Sequence, residues 1–250
     1  MPRHRADAAG RHGRRSVLAL NRMATLVLLP GMDGTGDLFA PFVAAYAGPT
    51  KVVRYPPSEF LGYQELEEVV QAQLPDGPYV LLGESFSGPL AISLAAERPH
   101  NLLALVLCAS FARNPRPALG PLSPLAALLP ARPPLRAMEF MLCGRFANPA
   151  LRQLLQRALT QVAPAVLRER LKAVASVNVT SKLQRVEAPV LYLSGSEDRL
   201  VPAASGNEVR LLAKTSKLVE FTAPHFLLQC VPMEAACTIR EFMTQEANAA

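Results

Sequence analysis

Six residues, Gly83-Glu84-Ser85-Phe86-Ser87-Gly88, form the pattern best suited to covalent chemistry in this 250-residue chain. They lie between an apolar run that reads as a strand, Tyr79 to Leu82, and a stretch over residues 86–97 that reads as a helix. A serine at such a junction sits on a sharp elbow, with room only for small residues two before it and two or three after it. Gly83, Ser87 and Gly88 meet that demand, with Ser87 standing where a strict G-x-S-x-G pattern has its last glycine. A glycine-containing strand–helix turn without catalysis also fits this motif taken alone. A serine hydroxyl is a poor nucleophile at neutral pH and needs a base. The chain has four histidines: His4, His12, His100 and His225. The first two belong to the N-terminal leader. His100 follows the elbow helix, on the opposite side of the expected sheet. His225 follows an expected strand, in Phe221-Thr-Ala-Pro-His225, and is the candidate base.

An imidazole base needs a carboxylate to orient it and to stabilise its charged form. The turn Ser194-Gly-Ser-Glu-Asp198-Arg-Leu-Val-Pro202 follows the preceding expected strand. Asp198 is the candidate there, Glu197 is its local competitor, and an ordinary surface-turn acid is the third reading. Acyl transfer also requires donors for an oxyanion. One candidate is the backbone N–H of Phe86, at a helix N-terminus. The other is the N–H of Met32, in the glycine-rich segment Leu29-Pro-Gly-Met32-Asp-Gly-Thr-Gly36. Gly31, Gly34 and Gly36 also suggest a phosphate-binding loop. The segment has neither the G-x-G-x-x-G register nor a Walker lysine, which weakens a nucleotide reading.

These residues are carried by a repeating strand–loop–helix pattern. Thr25 to Leu29, Lys51 to Tyr55, Tyr79 to Leu82 and Leu102 to Cys108 read as strands, separated by helical stretches near 38–46, 64–74 and 86–97. Short strands, most of them apolar enough to be buried, alternating with helices argue for an α/β fold, a mostly parallel doubly wound sheet. Near residue 113 the composition changes. Seven of the 23 prolines fall between Pro115 and Pro134, interspersed with Leu119, Leu122, Leu125, Leu128 and Leu129. Leu167, Leu171 and Val174 then form a helical stripe. Residues 113–180 read as an insertion, after which the sheet pattern resumes. Strands are expected at Pro189 to Leu193 and Lys217 to Phe221, and helices near 203–213 and 226–245.

Charge and composition narrow the function classes. Half the residues are hydrophobic and 18% are charged, enough for a large core. The net charge of +6 is concentrated in residues 1–22, where six arginines face Asp7 alone and leave +5. The remainder is close to neutral, so a basic nucleic-acid-binding globule is not supported. Residues 1–22 read as a disordered basic extension and 23–250 as the folded domain. The leader lacks the hydrophobic core and cleavage site of a signal peptide. No apolar run is long enough to span a bilayer. Cys108, Cys143, Cys230 and Cys237 form no C-x-x-C pair, which favours reduced thiols and a cytoplasmic location. No metal-ligand cluster is visible, and no cofactor is expected.

With the elbow, acid turn and histidine loop in the order Ser…Asp…His, the chain resembles the α/β-hydrolase superfamily. It is similar in particular to small bacterial esterase-like members with a Leu-Pro-Gly-Met-Asp-Gly-Thr-Gly type opening. The resemblance covers about residues 24–245. It implies an α/β-hydrolase fold, a Ser85–Asp198–His225 triad and a helical cap inserted at about 113–180. Many relatives carry His-Gly in the oxyanion loop, whereas Leu29-Pro30 precede Gly31 here. The implied activity is cleavage of a carboxylic ester of a small or lipophilic molecule through an acyl-enzyme. Acyltransferase or thioesterase chemistry on the same triad is the alternative, and a non-catalytic binding protein of this fold is a further one. Ser85 disfavours the dehalogenase and epoxide hydrolase branches, which place Asp there. The insertion's leucines, with Phe140 and Met141, are candidates for an apolar acyl pocket or simply for cap packing. Arg132, Arg136, Arg145, Arg152 and Arg157 are candidates for attracting an acidic substrate or carrier, or for an ordinary solvated face.

Overall fold

The computed structural model describes residues 24–117 and 134–249. The basic leader, the five leucines of the proline-rich segment and Arg132 lie outside the described residues. Strands β1 (Thr25–Leu29), β2 (Thr50–Val52), β3 (Tyr79–Glu84), β4 (Leu102–Cys108), β5 (Val190–Gly195) and β6 (Ser216–Phe221) form one sheet in the order β2-β1-β3-β4-β5-β6. Every pairing is parallel. The four central strands, β1, β3, β4 and β5, read as apolar runs because both faces of the sheet are covered there, whereas the edge strands β2 and β6 carry exposed residues. Val27, Leu29, Leu81, Leu105, Leu107 and Tyr192 pack on one face. Their neighbours Leu26, Leu28, Val80, Leu82, Val106 and Leu191 pack on the other.

Among the described residues before β5, the α-helices are α1 (Ala40–Tyr46), α2 (Tyr63–Gln71), α3 (Gly88–Ala96), α4 (Leu135–Leu142), α5 (Pro149–Gln161), α6 (Pro164–Ser176) and α7 (Thr180–Leu183). After it come α8 (Ala203–Leu212), α9 (Leu227–Cys230) and α10 (Pro232–Ala249). Leu66 and Val70 of α2, Leu90 of α3 and Val209 of α8 cover the first face. Phe42 of α1, Leu227 of α9 and Ile239 of α10 cover the second. All of α3 is buried, as expected of a helix apolar on every side.

Helices α4 to α7 lie between β4 and β5. The two ends of this excursion meet: Arg113 and Asn178 form an antiparallel bridge, and Val179 N–H donates to Ala112 O at 2.7 Å. Within it, Asn148 caps α5 by accepting from Leu151 N–H at 3.0 Å, ahead of Pro149. Leu151, Leu155 and Ala158 of α5 form a third apolar cluster with Leu38 and Phe226.

Three local expectations differ from what the structure contains. The second strand ends at Val52 rather than Tyr55, because Tyr55 N–H turns away to bond Gly34 O at 2.8 Å. The last helical stretch divides into α9 and α10 at Pro232, which has no N–H to continue the ladder. On α6, Leu171 is 44% exposed, and the buried residues are Val166 and Arg170. Of the expected stripe, Val174 packs against the core of the first face and Leu171 faces outward.

The chain order places the functional loops. From β1 the chain moves outward to β2, then crosses to β3 on the other side of β1. In open parallel sheets, ligands bind beyond the strands' carboxyl ends at such a reversal. Leu29 pairs in register with Gly83, so the loop after β1 and the elbow after β3 emerge side by side.

Candidate active site

The elbow is built by crowding. Ser85 has φ of 49°, a left-handed conformation that costs a non-glycine residue about 1–3 kcal/mol. A Cβ on Gly83 would lie 2.7 Å from Ser87 O and 2.8 Å from Ala91 Cβ. One on Gly88 would lie 1.7 Å from Ser110 Oγ. Ser110, just past β4, uses that hydroxyl to donate to Ser85 O at 2.6 Å. Ser87 occupies the last position of the motif with a purpose a glycine has no atoms for. Its Oγ donates to Pro30 O and accepts from Tyr55 OH at 2.6 Å, tying the elbow to the loop after β1.

Ser85, His225 and Asp198 are brought together. Ser85 Oγ lies 2.9 Å from His225 Nε2, and His225 Nδ1 lies 2.8 Å from Asp198 Oδ2. The histidine and aspartate side chains are 6% and 4% exposed. A carboxylate only accepts hydrogen bonds, so Nδ1 carries the proton and Nε2 is free to accept from the serine. Asp198 Oδ1 accepts from Leu200 N–H at 2.8 Å and Val201 N–H at 2.9 Å, which fixes the carboxylate plane. Gly195 allows the acid turn and the histidine loop to touch, since a Cβ there would lie 2.3 Å from Ala223 O. The competitor Glu197 points outward and pairs with Arg145 at 2.7 Å.

Phe86 N–H lies in the first turn after the elbow, where helix amides have no partner of their own. The Phe86 ring is buried, stacks on Tyr63 at 4.9 Å, and its carbonyl accepts from Tyr63 OH at 3.0 Å. Met32 lies in a turn closed by Gly34 N–H donating to Gly31 O at 3.0 Å. Asp33 is buried and accepts from Thr35 N–H at 2.9 Å and from Thr35 Oγ1.

Two buried charged residues here carried no signal in the sequence. Glu84, directly before Ser85, accepts from Gln229 Nε2 at 2.9 Å. Burial pushes its carboxyl up to about 7, partly offset by the Gln229 bond and reinforced by Asp33. Burial raises Asp33 as well, against its bonds from Thr35. Arg170 reaches from α6 to the carbonyls of Met32 and Asp33, both at 2.9 Å. Glu84 fills the variable position of the elbow motif and Arg170 belongs to no motif, so only the long-range packing shows that both are buried. Of the suggested pocket residues, Phe140 and Met141 are exposed, and the Phe140 ring lies under Arg199 at 4.1 Å. Arg145 and Arg152 pair with Glu197 and Glu139. Among the described residues, no group of His, Cys, Asp and Glu could hold a metal ion, and no helix is long and apolar enough to cross a membrane.

A family model described as "Alpha/beta hydrolase family" matches residues 8–234. The chain belongs to the alpha/beta hydrolase family. This alpha/beta hydrolase is 27% identical over 219 residues to phytyl ester synthase 1, chloroplastic, of Arabidopsis thaliana, covering 72% of this chain and 31% of the relative. It is 29% identical over 166 residues to a pimeloyl-[acyl-carrier protein] methyl ester esterase of Neisseria meningitidis, covering 61% of this chain and 52% of the relative. The matches thus span only about a third to a half of those relatives' lengths. A hydrolase from Pseudomonas aeruginosa PA01 has the same fold, with a TM-score of 0.74 at 21% identity over 88% of this chain and 89% of that one.

Proposed function

We propose that this alpha/beta hydrolase cleaves a carboxylic ester through an acyl-enzyme formed on Ser85. The observation that carries this reading is the buried chain Ser85 Oγ–His225–Asp198, with links of 2.9 and 2.8 Å. His225 Nε2 takes the hydroxyl proton as Ser85 Oγ attacks the ester carbonyl. Asp198 stabilises the imidazolium that forms. The amides of Met32 and Phe86 receive the charge on the former carbonyl oxygen. His225 returns its proton to the departing alcohol, leaving the acyl group on Ser85. Water then gives its proton to His225 and attacks the acyl-enzyme, releasing the acid and restoring the serine. The substrate in this reading is a small or lipophilic ester.

A second reading keeps the acyl-enzyme and replaces water with an alcohol. It is supported by the similarity to a relative named as an ester synthase. A thioester donor would use the same steps. Turnover of p-nitrophenyl esters and acyl thioesters, with and without added alcohols, tests both. The expected result is hydrolysis by the native chain and none above background by Ser85→Ala. Hydrolysis at an unchanged rate in Ser85→Ala overturns the assignment, and ester formation outpacing hydrolysis selects the second reading.

A further inference from the structure

Arg170 is the largest fully buried side chain among the described residues, and it comes from α6. Its Nη1 donates to Met32 O and Asp33 O at 2.9 Å each, and its Nη2 to Pro56 O at 3.0 Å. The guanidinium also lies over the Tyr55 ring at 5.6 Å. The loop is shaped to receive it. Gly34 has φ of 72°, and a Cβ there would lie 2.5 Å from Arg170 Nη1. The nearby Asp33 carboxylate is taken up by Thr35, so the arginine is engaged by carbonyls and not by an ion pair. Its Nε is buried without a hydrogen-bond partner. Burying a cation with an unmet donor is costly, and an apolar side chain of similar volume is the cheaper filler.

Two anchored carbonyls explain the choice. Pro30 O is held by Ser87 Oγ from the elbow, and Met32 O is held by Arg170. Between these two anchored peptides lies the Gly31–Met32 peptide, which carries the Met32 N–H. We propose that Arg170 is a positioning residue that aims the Met32 amide at the oxyanion, so that docking of α6 completes the acyl-transfer site. This rests on the reading of Met32 as an oxyanion donor.

Arg170→Met and Arg170→Lys test it beside the native chain, with p-nitrophenyl butyrate as substrate and a trifluoromethyl ketone as inhibitor. The ketone's adduct with a serine places an oxyanion in the same position. Misplacing one donor is expected to lower kcat about 10- to 100-fold. KM should change less than about threefold, since the donor acts mainly on the transition state. Affinity for the ketone should fall with kcat/KM. Arg170→Lys keeps the charge but loses the fork, so it should lie between the other two. Amide hydrogen exchange over residues 31–36 should quicken in both variants. If Arg170→Met does not fold, Arg170→Lys carries the comparison. A rise in KM alone, or unchanged loop exchange and ketone affinity, overturns the proposal. Loop exchange is readable even if the native chain turns over no ester, so failure of the hydrolytic reading and failure of the arginine clamp remain distinguishable.

Discussion

Asp198 shows how much a single side chain's hydrogen bonds decide. Its Oδ1 is committed to Leu200 and Val201 N–H, and only Oδ2 faces His225. In Asp198→Asn the amide oxygen should stay with the two backbone donors, leaving the NH2 group pointing at Nδ1. That forces the proton onto Nε2, which then cannot accept from Ser85. The expected loss in kcat is about 10³- to 10⁴-fold with the fold retained, measured by steady-state kinetics beside circular dichroism. A loss below about tenfold contradicts the role. At this scale the sequence singled out Ser85, His225 and Asp198 as candidates, because each follows an expected strand and only one histidine remains available. Ser87 was readable as merely small, since its partners Pro30 and Tyr55 are brought near it only by the fold. Arg170 was unreadable, because an arginine on an amphipathic helix reads as solvent-facing and its carbonyl partners at Met32, Asp33 and Pro56 are brought near it only by the fold.

The elements work by close approach at a few points. The β3–α3 junction brings Gly88 against Ser110 so tightly that any Cβ collides with the hydroxyl holding Ser85 O. Gly88→Ala should therefore displace Ser110 and shift the elbow, with a cost of about 1–3 kcal/mol from overpacking. Urea denaturation measures the stability, and turnover should fall by more than the stability loss explains. An alanine variant with native stability and activity contradicts the crowding account. The central strands were legible because strands buried on both faces read as continuous apolar runs. Element ends were less so. Tyr55 looks like strand sequence but bonds Gly34 in the loop, and Pro232 divides a stretch whose hydrophobic pattern continues past it.

Across the whole molecule, one parallel sheet gathers residues from distant parts of the chain beyond the carboxyl ends of its strands. The reversal between β1 and β3 places Met32 beside Ser85, while β5 and β6 deliver Asp198 and His225. This convergence leaves Glu84 buried behind the nucleophile, with consequences for global stability. The folded chain holds the Glu84 proton up to about 7, against an ordinary value of 4.5. Between those values the folded state binds more protons than the unfolded one, so stability falls as pH rises through that window. At 1.36 kcal/mol per pH unit the contribution is about 3 kcal/mol, and Asp33 acts in the same direction. Glu84→Gln keeps an uncharged partner for Gln229 and should flatten the decline between about pH 5 and pH 8, read from urea midpoints. An identical slope in the variant contradicts the assignment. The most direct test of the reactive centre itself is the intact mass of the protein after treatment with a fluorophosphonate, beside Ser85→Ala. A single adduct on the native chain and none on the variant is the expected result. A folded native chain that takes no adduct, or a variant that takes the same one, would contradict an activated Ser85.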